Sequence, residues 1–112
     1  MREEQLQIAV ANYINYEYPN LLWCHIANER QTSPQRGAKL KRMGVRAGMP
    51  DVMIFKMTGY CGLAIELKVG KNKPTKKQLE VHEKLKSQGW RVDVCYTFDE
   101  AQKIIDIYLT NN

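Results

Sequence analysis

The apolar run LAIELKV, residues 63–69, constrains the fold more than any other part of this sequence. Its length and apolar character predict a buried β-strand in the middle of a sheet. Glu66 and Lys68 interrupt the run two positions apart, so both side chains point to the same face of the sheet. Charges in a central strand are costly unless they are paired or bind an ion. The run therefore indicates either a functional site or, on spacing alone, an ordinary Glu–Lys pair on an edge strand.

Periodic patterns on both sides of this run predict the other elements. Apolar residues recur at helical spacing near the N-terminus, and Thr75 followed by Gln78 matches a capping box at the start of a later helix. The predicted elements are a helix at 3–16, strands at 21–27, 51–55 and 63–69, a helix at 76–88, a strand at 91–96 and a helix from about 99. The three consecutive strands pair most simply as an antiparallel meander, and the strand–helix–strand step as a parallel crossover. We therefore predict an α/β fold, an αβββαβα core with a mixed sheet flanked by helices, in one domain at 1–112.

Positive charge is concentrated in one segment. The chain has a net charge of +5, and residues 28–47, in which a short helix at 38–43 is predicted, account for all of it. Against Glu29 alone, this segment contains Arg30, Arg36, Lys39, Lys41, Arg42 and Arg46. A second basic group, close to Lys68, consists of Lys71, Lys73, Lys76 and Lys77. Such clustering predicts a polyanionic partner, most simply the phosphates of DNA, and solvated loops are the alternative for both groups.

Cysteine usage and hydropathy exclude several classes of protein. Cys24, Cys61 and Cys95 have neither the even count nor the Cys-x-x-Cys spacing of a disulfide framework or a zinc site. We predict that all three are small core residues in a reducing cytoplasm. No apolar run approaches the roughly 20 residues of a membrane span. Because residues 1–7 also lack a signal-peptide core, we expect a cytoplasmic protein without a membrane partner.

Asp51 opens the strand that precedes the central run, directly after Pro50. It lies 15 residues before Glu66, a separation that suits a β-hairpin in which the two carboxylates approach each other. Neighbouring carboxylates repel, and a divalent cation such as Mg²⁺, which prefers hard oxygen ligands, removes the conflict. Lys68 would then hold the attacking water or stabilise the charge of the transition state. An aspartate after a proline is otherwise often only a turn residue.

These residues lie in motifs that resemble the VRR-Nuc family of the PD-(D/E)XK nuclease superfamily, in its minimal stand-alone form typical of bacteriophages. The motifs are GMPDVMIF, AIELKVGKNKPTKKQLEVHEKL, KRMGVRAGMPD, HIANER and the Glu-x-x-Leu-Gln pattern of residues 3–7. The resemblance covers nearly the whole chain and implies a restriction-endonuclease-like fold. If the protein is phage-encoded, its location is the host cytoplasm.

The resemblance also implies roles for the matching residues. It implies that Mg²⁺, or Mn²⁺ in its place, is bound by Asp51, Glu66 and the backbone carbonyl of Leu67. It implies that Lys68 is the catalytic lysine and that Glu3 is an outer ligand, reached through water or directly. Gln78 would support the site, although the capping box offers a second explanation for it.

The expected activity is hydrolysis of DNA phosphodiester bonds by a Mg²⁺-dependent, structure-selective endonuclease. Stand-alone members of the family resemble junction resolvases that act as homodimers, and a two-fold dimer presents two equivalent sites. We therefore predict a homodimer that acts on Holliday junctions. The alternatives are a nicking or restriction-like nuclease that acts on duplex or flap DNA, and a DNA-binding module without catalysis.

A few other residues carry weaker predictions. His25, on an apolar strand, is predicted to be a satisfied core histidine. His82, on the polar flank of its helix, is predicted to have no special role. Asn28 and Glu29 are expected to shape the loop after the first strand. Core positions are also predicted for the two tryptophans, Trp23 and Trp90.

Overall fold

The helices and strands of the computed structural model, which describes residues 1–27 and 33–110, follow the predicted α/β order. The elements are α1 (Glu3–Glu17), β1 (Trp23–His25), α2 (Pro34–Arg42), β2 (Val52–Ile54), β3 (Leu63–Leu67), α3 (Lys76–Ser87), β4 (Arg91–Cys95) and α4 (Phe98–Thr110). Each observed strand is shorter than its prediction because the outer residues of the apolar runs lie beyond the paired segment. Within the described ranges, no helix combines the length and the apolar character needed to cross a bilayer.

Four strands form one mixed sheet in the order β1-β2-β3-β4. The first three strands are an antiparallel meander and β4 lies parallel to β3, both as predicted. Val52 of β2 lies opposite Ile65 of β3. One step further along this antiparallel register, Asp51 lies opposite Glu66. The hairpin therefore brings together the two acidic residues that the sequence pattern singled out.

Helices cover the two faces of the sheet. On one face, the odd-numbered residues of β3 pack into a core with apolar residues of α1 and α4. On the other face, Ala64 belongs to a smaller apolar cluster with Val81 and Leu85 of α3. Because side chains alternate along a strand, Glu66 and Lys68 lie on the face that α3 covers. The two charges are therefore buried under a helix and are not at a solvent-exposed edge.

Helix α2 begins earlier than predicted and, unlike the other helices, buries none of its residues. The side chain of Ser33 accepts a hydrogen bond from the backbone N–H of Arg36 at 3.1 Å, and Pro34 occupies the first helical turn. Ser followed by Pro is a strong start signal, which moves the first residue from 38 to 34. No residue of α2 is buried. This helix therefore owes little of its position to the core.

Two of the predictions for small core residues are wrong. Cys24 and Cys61 are exposed, and Cys95 is buried as predicted. Cys24 lies in β1, which is an edge strand, and Cys61 lies in the turn between β2 and β3. Local apolar neighbours do not distinguish an edge from the interior of a sheet, which explains both errors. The prediction of core positions for the two tryptophans holds only in part. Each is half-buried against an apolar cluster, Trp23 on the α1 side and Trp90 on the α3 side.

Candidate active site

Asp51 is half-buried at the start of β2, and its neighbours fix its side chain. Its Oδ2 atom accepts a hydrogen bond of 2.7 Å from the backbone N–H of Leu67, on the adjacent strand. Burial, followed by a hydrogen-bonding contact with the Glu66 side chain and the negative charge of Glu66, raises the pKa of Asp51 to about 7. The Leu67 N–H and His25 act in the opposite direction. The two carboxyl groups are therefore close enough to share a proton, as expected for acids held together without a cation.

Glu66 is 1% exposed, and both of its carboxylate oxygens have partners on α3. Nε2 of Gln78 donates a hydrogen bond of 3.1 Å to Oε2. Nε2 of His82 lies 3.1 Å from Oε1. Since the two residues are four positions apart on one helix, their side chains stand side by side. Helix α3 thus holds Glu66 at two points.

Gln78 combines the two explanations that the sequence left open. Its Oε1 accepts a hydrogen bond of 2.8 Å from the backbone N–H of Thr75, and Thr75 Oγ1 accepts one of 3.1 Å from the Gln78 N–H. This is the predicted capping box. The amide nitrogen remains available for Glu66. The cap therefore fixes the side chain that contacts the acidic residue.

Lys68 follows the last residue of β3, and its backbone N–H extends the pairing with β4 by donating to the Cys95 carbonyl at 3.0 Å. The residue is 5% exposed, yet it lines a cleft of about 1220 Å³ together with Glu3 and Gln78. A buried ammonium group is thus directed to the same open space as the N-terminal turn of α1. This cleft is the place where a substrate can reach Lys68.

The cleft is basic on the sides that face the two charged segments. Four of the predicted DNA-binding residues line it: Lys41, Arg46, Lys73 and Lys77. The remaining cations are exposed outside its lining: Arg36, Lys39, Arg42, Lys71 and Lys76. Arg30, Asn28 and Glu29 lie outside the described residues, so their predicted roles stay predictions. The two basic groups that are separate in the sequence therefore border one cleft.

The predictions for both histidines are wrong. His82 is 4% exposed and contacts Glu66, so it is not an ordinary residue on a polar flank. The signal that could have found it is its spacing of four residues from Gln78. His25 is exposed on the edge strand and not in the core, and its Nδ1 lies 2.7 Å from the backbone carbonyl oxygen of Asp51. It therefore contacts the backbone of an acidic residue from the open side of the sheet.

The donor set of this site suits a hard divalent cation. Asp51 and Glu66 provide two adjoining carboxylates, and a cation bound between them removes the repulsion that raises the pKa of Asp51. In the part of the chain that the structure describes, no group of three or more His, Cys, Asp or Glu side chains is arranged to hold a metal. Glu3 lines the cleft, and its role as an outer ligand stays a prediction. Two carboxylates with water and phosphate completing the shell are a typical arrangement for Mg²⁺.

Comparisons with known proteins agree with the fold. The family model described as VRR-NUC domain matches residues 1–99. A solved structure titled "VRR_NUC domain protein" is 29% identical, covers 97% of this chain and 88% of its own, and has a TM-score of 0.76. A second, titled "VRR_NUC domain", is 21% identical, covers 95% and 96%, and has a TM-score of 0.62, which shows a shared fold. A comparison with proteins of curated function found no match.

Proposed function

Because this chain belongs to the VRR-NUC domain family, whose members are nucleases that process DNA, we propose that it is a Mg²⁺-dependent endonuclease that hydrolyses phosphodiester bonds. One observation carries the proposal: the carboxyl groups of Asp51 and Glu66 adjoin each other, and Lys68, two residues after Glu66, lines a basic cleft. A purely structural acid pair would need neither the buried lysine nor the cationic cleft beside it.

The side chains divide the work of the reaction. Asp51 and Glu66 would hold the cation, with Leu67 adding its carbonyl and Glu3 acting through water. When bound, Mg²⁺, or Mn²⁺ in its place, supplies Lewis-acid chemistry to a phosphoryl oxygen and to water. Lys68 stabilises the negative charge that develops on the phosphate in the transition state. Because Lys68 is buried, its ammonium group acts with less screening by water than a surface lysine would.

The lysines and arginines of the cleft would bind the DNA backbone. Lys41 and Arg46 lie on one side, and Lys73 and Lys77 on the side of α3. Contacts of this kind position the phosphate without reading the base sequence. Recognition would then depend on the shape of the DNA. This supports a structure-selective enzyme more than one that selects a sequence.

A four-way junction is the shape we propose as the preferred substrate, cut by a homodimer. Resolution of such a junction needs two symmetric nicks, and a two-fold dimer presents two equivalent sites. The rival activities are nicking of duplex or flap DNA by a single protomer and DNA binding without cleavage. The filled Asp51, Glu66 and Lys68 positions count against the last of these.

The test compares labelled DNA substrates in the presence of Mg²⁺, with EDTA as the metal-free control. We expect the wild type to cut a four-way junction faster than a duplex, a flap or a single strand. Asp51→Asn and Glu66→Gln should abolish cleavage and keep DNA affinity. Glu80→Gln, the same chemical change at an exposed position of α3, is the matched control and should cut normally. Cleavage by both site variants at the wild-type rate would refute the nuclease site, and equal cleavage of all four substrates would refute the preference for junctions.

A further inference from the structure

We propose that His82 is a positioning residue that orients the Glu66 carboxylate for the divalent cation. The inference rests on the proposed function, because it assigns the cation to the Asp51–Glu66 pair. It concerns a residue that is buried against Glu66 and that does not line the cleft, whose lining also lacks Asp51 and Glu66. His82 would therefore act through Glu66, without touching DNA.

The first argument is the geometry of the two contacts. Nε2 of His82 lies 3.1 Å from Oε1 of Glu66, while Gln78 Nε2 donates to Oε2 at the same distance. One donor on each oxygen fixes the plane of the carboxylate, whereas a single donor would leave it free to turn about its last bond. When Glu66 is ionised, as a cation ligand must be, its carboxylate is an acceptor only, so Nε2 of His82 then carries the hydrogen of this bond.

The second argument is the number of lone pairs that remain. An ionised carboxylate offers about four acceptor positions, and the two donors of α3 occupy two of them. The remaining positions include those on the side of Asp51, which lies opposite Glu66 in the register of β2 and β3. Helix α3 therefore leaves the carboxylate free on the side where Asp51 can bind the same ion. A carboxylate that turned away would offer one ligand fewer.

The third argument is burial. His82 is 4% exposed and Glu66 is 1% exposed, so water cannot replace a lost hydrogen bond at Oε1. A buried acceptor without a partner is costly, and the side chain would rotate to recover one. Hydrogen-bonded neighbours of metal ligands typically contribute about ten- to hundredfold to metal affinity. We expect an effect of that size from the loss of the imidazole donor.

The experiment measures Mn²⁺ binding to the free protein by electron paramagnetic resonance, with thermal melting of each variant. His82→Leu removes the donor and keeps an apolar side chain of similar size. His82→Gln restores an N–H near the position of Nε2, and His82→Asn carries an amide that is too short. Leu85→Ala, a buried residue of the same helix without a polar contact to Glu66, is the control for general destabilisation.

We expect His82→Leu and His82→Asn to weaken Mn²⁺ binding about ten- to hundredfold. We expect His82→Gln to bind like the wild type, and Leu85→Ala to melt earlier without a change in Mn²⁺ affinity. In cleavage assays, the Leu and Asn variants should need more metal and should keep the wild-type KM for DNA at saturating metal.

Two outcomes would overturn the inference, and they differ in what else they overturn. If the wild type binds Mn²⁺ and both the Leu and Asn variants bind it equally well, His82 is only a core residue and the metal centre stands. If the wild type itself binds no Mn²⁺, the proposed metal centre falls and the role of His82 falls with it. A His82→Leu protein that does not fold leaves His82→Asn and His82→Gln to decide between these results.

Discussion

The end of strand β3 and helix α2 each lead to a lysine that lines the same cleft, Lys68 and Lys41, but the two lysines are held in opposite ways. Glu66 of β3 and Lys68, directly after the strand, are at most 5% exposed. Helix α2 carries Lys41 to the cleft without burying any of its residues. A buried charge needs a defined partner, whereas an exposed one is stabilised by water wherever it points. The difference separates a region that can perform chemistry from a region suited to bind a polyanion.

We expect mutations in these two regions to differ in the size and the additivity of their effects. Removal of one contact around β3 leaves another buried polar group unpaired, so its effect should be large and specific to one atom. Removal of one charge around α2 changes only the local potential, so its effect should be small and should add to others. The following experiments, ordered from the largest expected effect to the smallest, test whether the two regions behave so differently.

Substitution of the buried lysine should have the largest effect. Lys68→Met keeps the apolar stem and removes the ammonium group, so the transition-state charge loses a fixed partner. We expect kcat to fall about 10²- to 10³-fold, as for the loss of one preorganised donor, with little change in DNA affinity. Single-turnover cleavage and a DNA-binding titration measure the two quantities.

Lys77→Met is the matched control, because Lys77 lines the same cleft and is exposed. This variant should weaken DNA binding and leave the rate at which bound DNA is cleaved nearly unchanged. If Lys68→Met and Lys77→Met lose activity to the same extent, burial does not distinguish the two lysines and the comparison fails.

The acid pair should give the metal-free protein a distinctive pH dependence. Burial and the contact with Glu66 raise the pKa of Asp51 from its ordinary value of 3.8 to about 7. Between these values the unfolded Asp51 is ionised while the folded one keeps its proton. The free energy of unfolding therefore falls as the pH rises, and the loss is complete above about 7. Melting in EDTA across this range should show a falling Tm for the wild type.

The asparagine of the Asp51→Asn variant cannot ionise. The Tm of this variant should therefore fall less than that of the wild type as the pH rises over the same range. The quantity to follow is the difference in Tm between the two proteins. Linkage predicts that this difference in Tm changes between about pH 4 and pH 8. A difference in Tm that stays constant over that range would show that Asp51 ionises normally beside Glu66.

Much of this site could be predicted from sequence because its key residues lie in regular local patterns. Alternation placed Glu66 and Lys68 on one face, and the hairpin spacing placed Asp51 opposite Glu66. The contribution of His82 is only partly contained in the sequence, where its spacing of four residues from Gln78 places both side chains on one face of α3. Its contact with Glu66 depends on how α3 lies across β3, which is a tertiary property that helical periodicity does not contain.

The errors have the same origin. Cys24 and His25 occupy an apolar strand that proves to be the edge of the sheet, and strand order is not written in the local pattern. The charge cluster of residues 28–47 predicted a contact surface, and much of it is outside the core as expected. The helix in this segment begins at Pro34, four residues before the predicted start, because Ser33 caps it and Pro34 occupies its first turn.

Gly48 tests where the basic segment joins the buried region. Its φ of +85° is a left-handed conformation, and a Cβ at this position would lie 2.9 Å from the backbone oxygen of Lys77. Gly44 has a φ of +102° with nothing within 4 Å of an added Cβ. We expect Gly44→Ala to cost about 1–2 kcal/mol from backbone strain alone. Gly48→Ala should cost more, because the first turn of α3 must also move.

Chemical denaturation gives both free energies of unfolding, and Mn²⁺ binding shows whether the movement reaches Glu66. Gly48→Ala should weaken Mn²⁺ binding and Gly44→Ala should not, since only Gly48 presses against the helix that holds Gln78 and His82. Equal destabilisation by the two alanines would mean that the basic segment is not packed against α3 at this point.

Neutralising single charges of the cleft should have the smallest effects. Lys41→Ala and Arg46→Ala each remove one cation that would contact a phosphate. Each substitution should reduce the slope of log K against log salt by about 0.9, and the double variant by about twice that amount. A salt titration of junction binding measures the slopes, and Lys103→Ala, an exposed charge on α4 across the sheet, should leave the slope unchanged.

The same variants should bind Mn²⁺ like the wild type, because neither side chain touches Asp51 or Glu66. Additive slopes with unchanged metal affinity would establish that the exposed cations act only by their charge. A loss in the double variant far larger than the sum of the single losses would instead mean that α2 holds one fixed position against DNA. In that case the side chains of α2 would be held in place as firmly as those around Glu66, and the two regions would no longer differ in this respect.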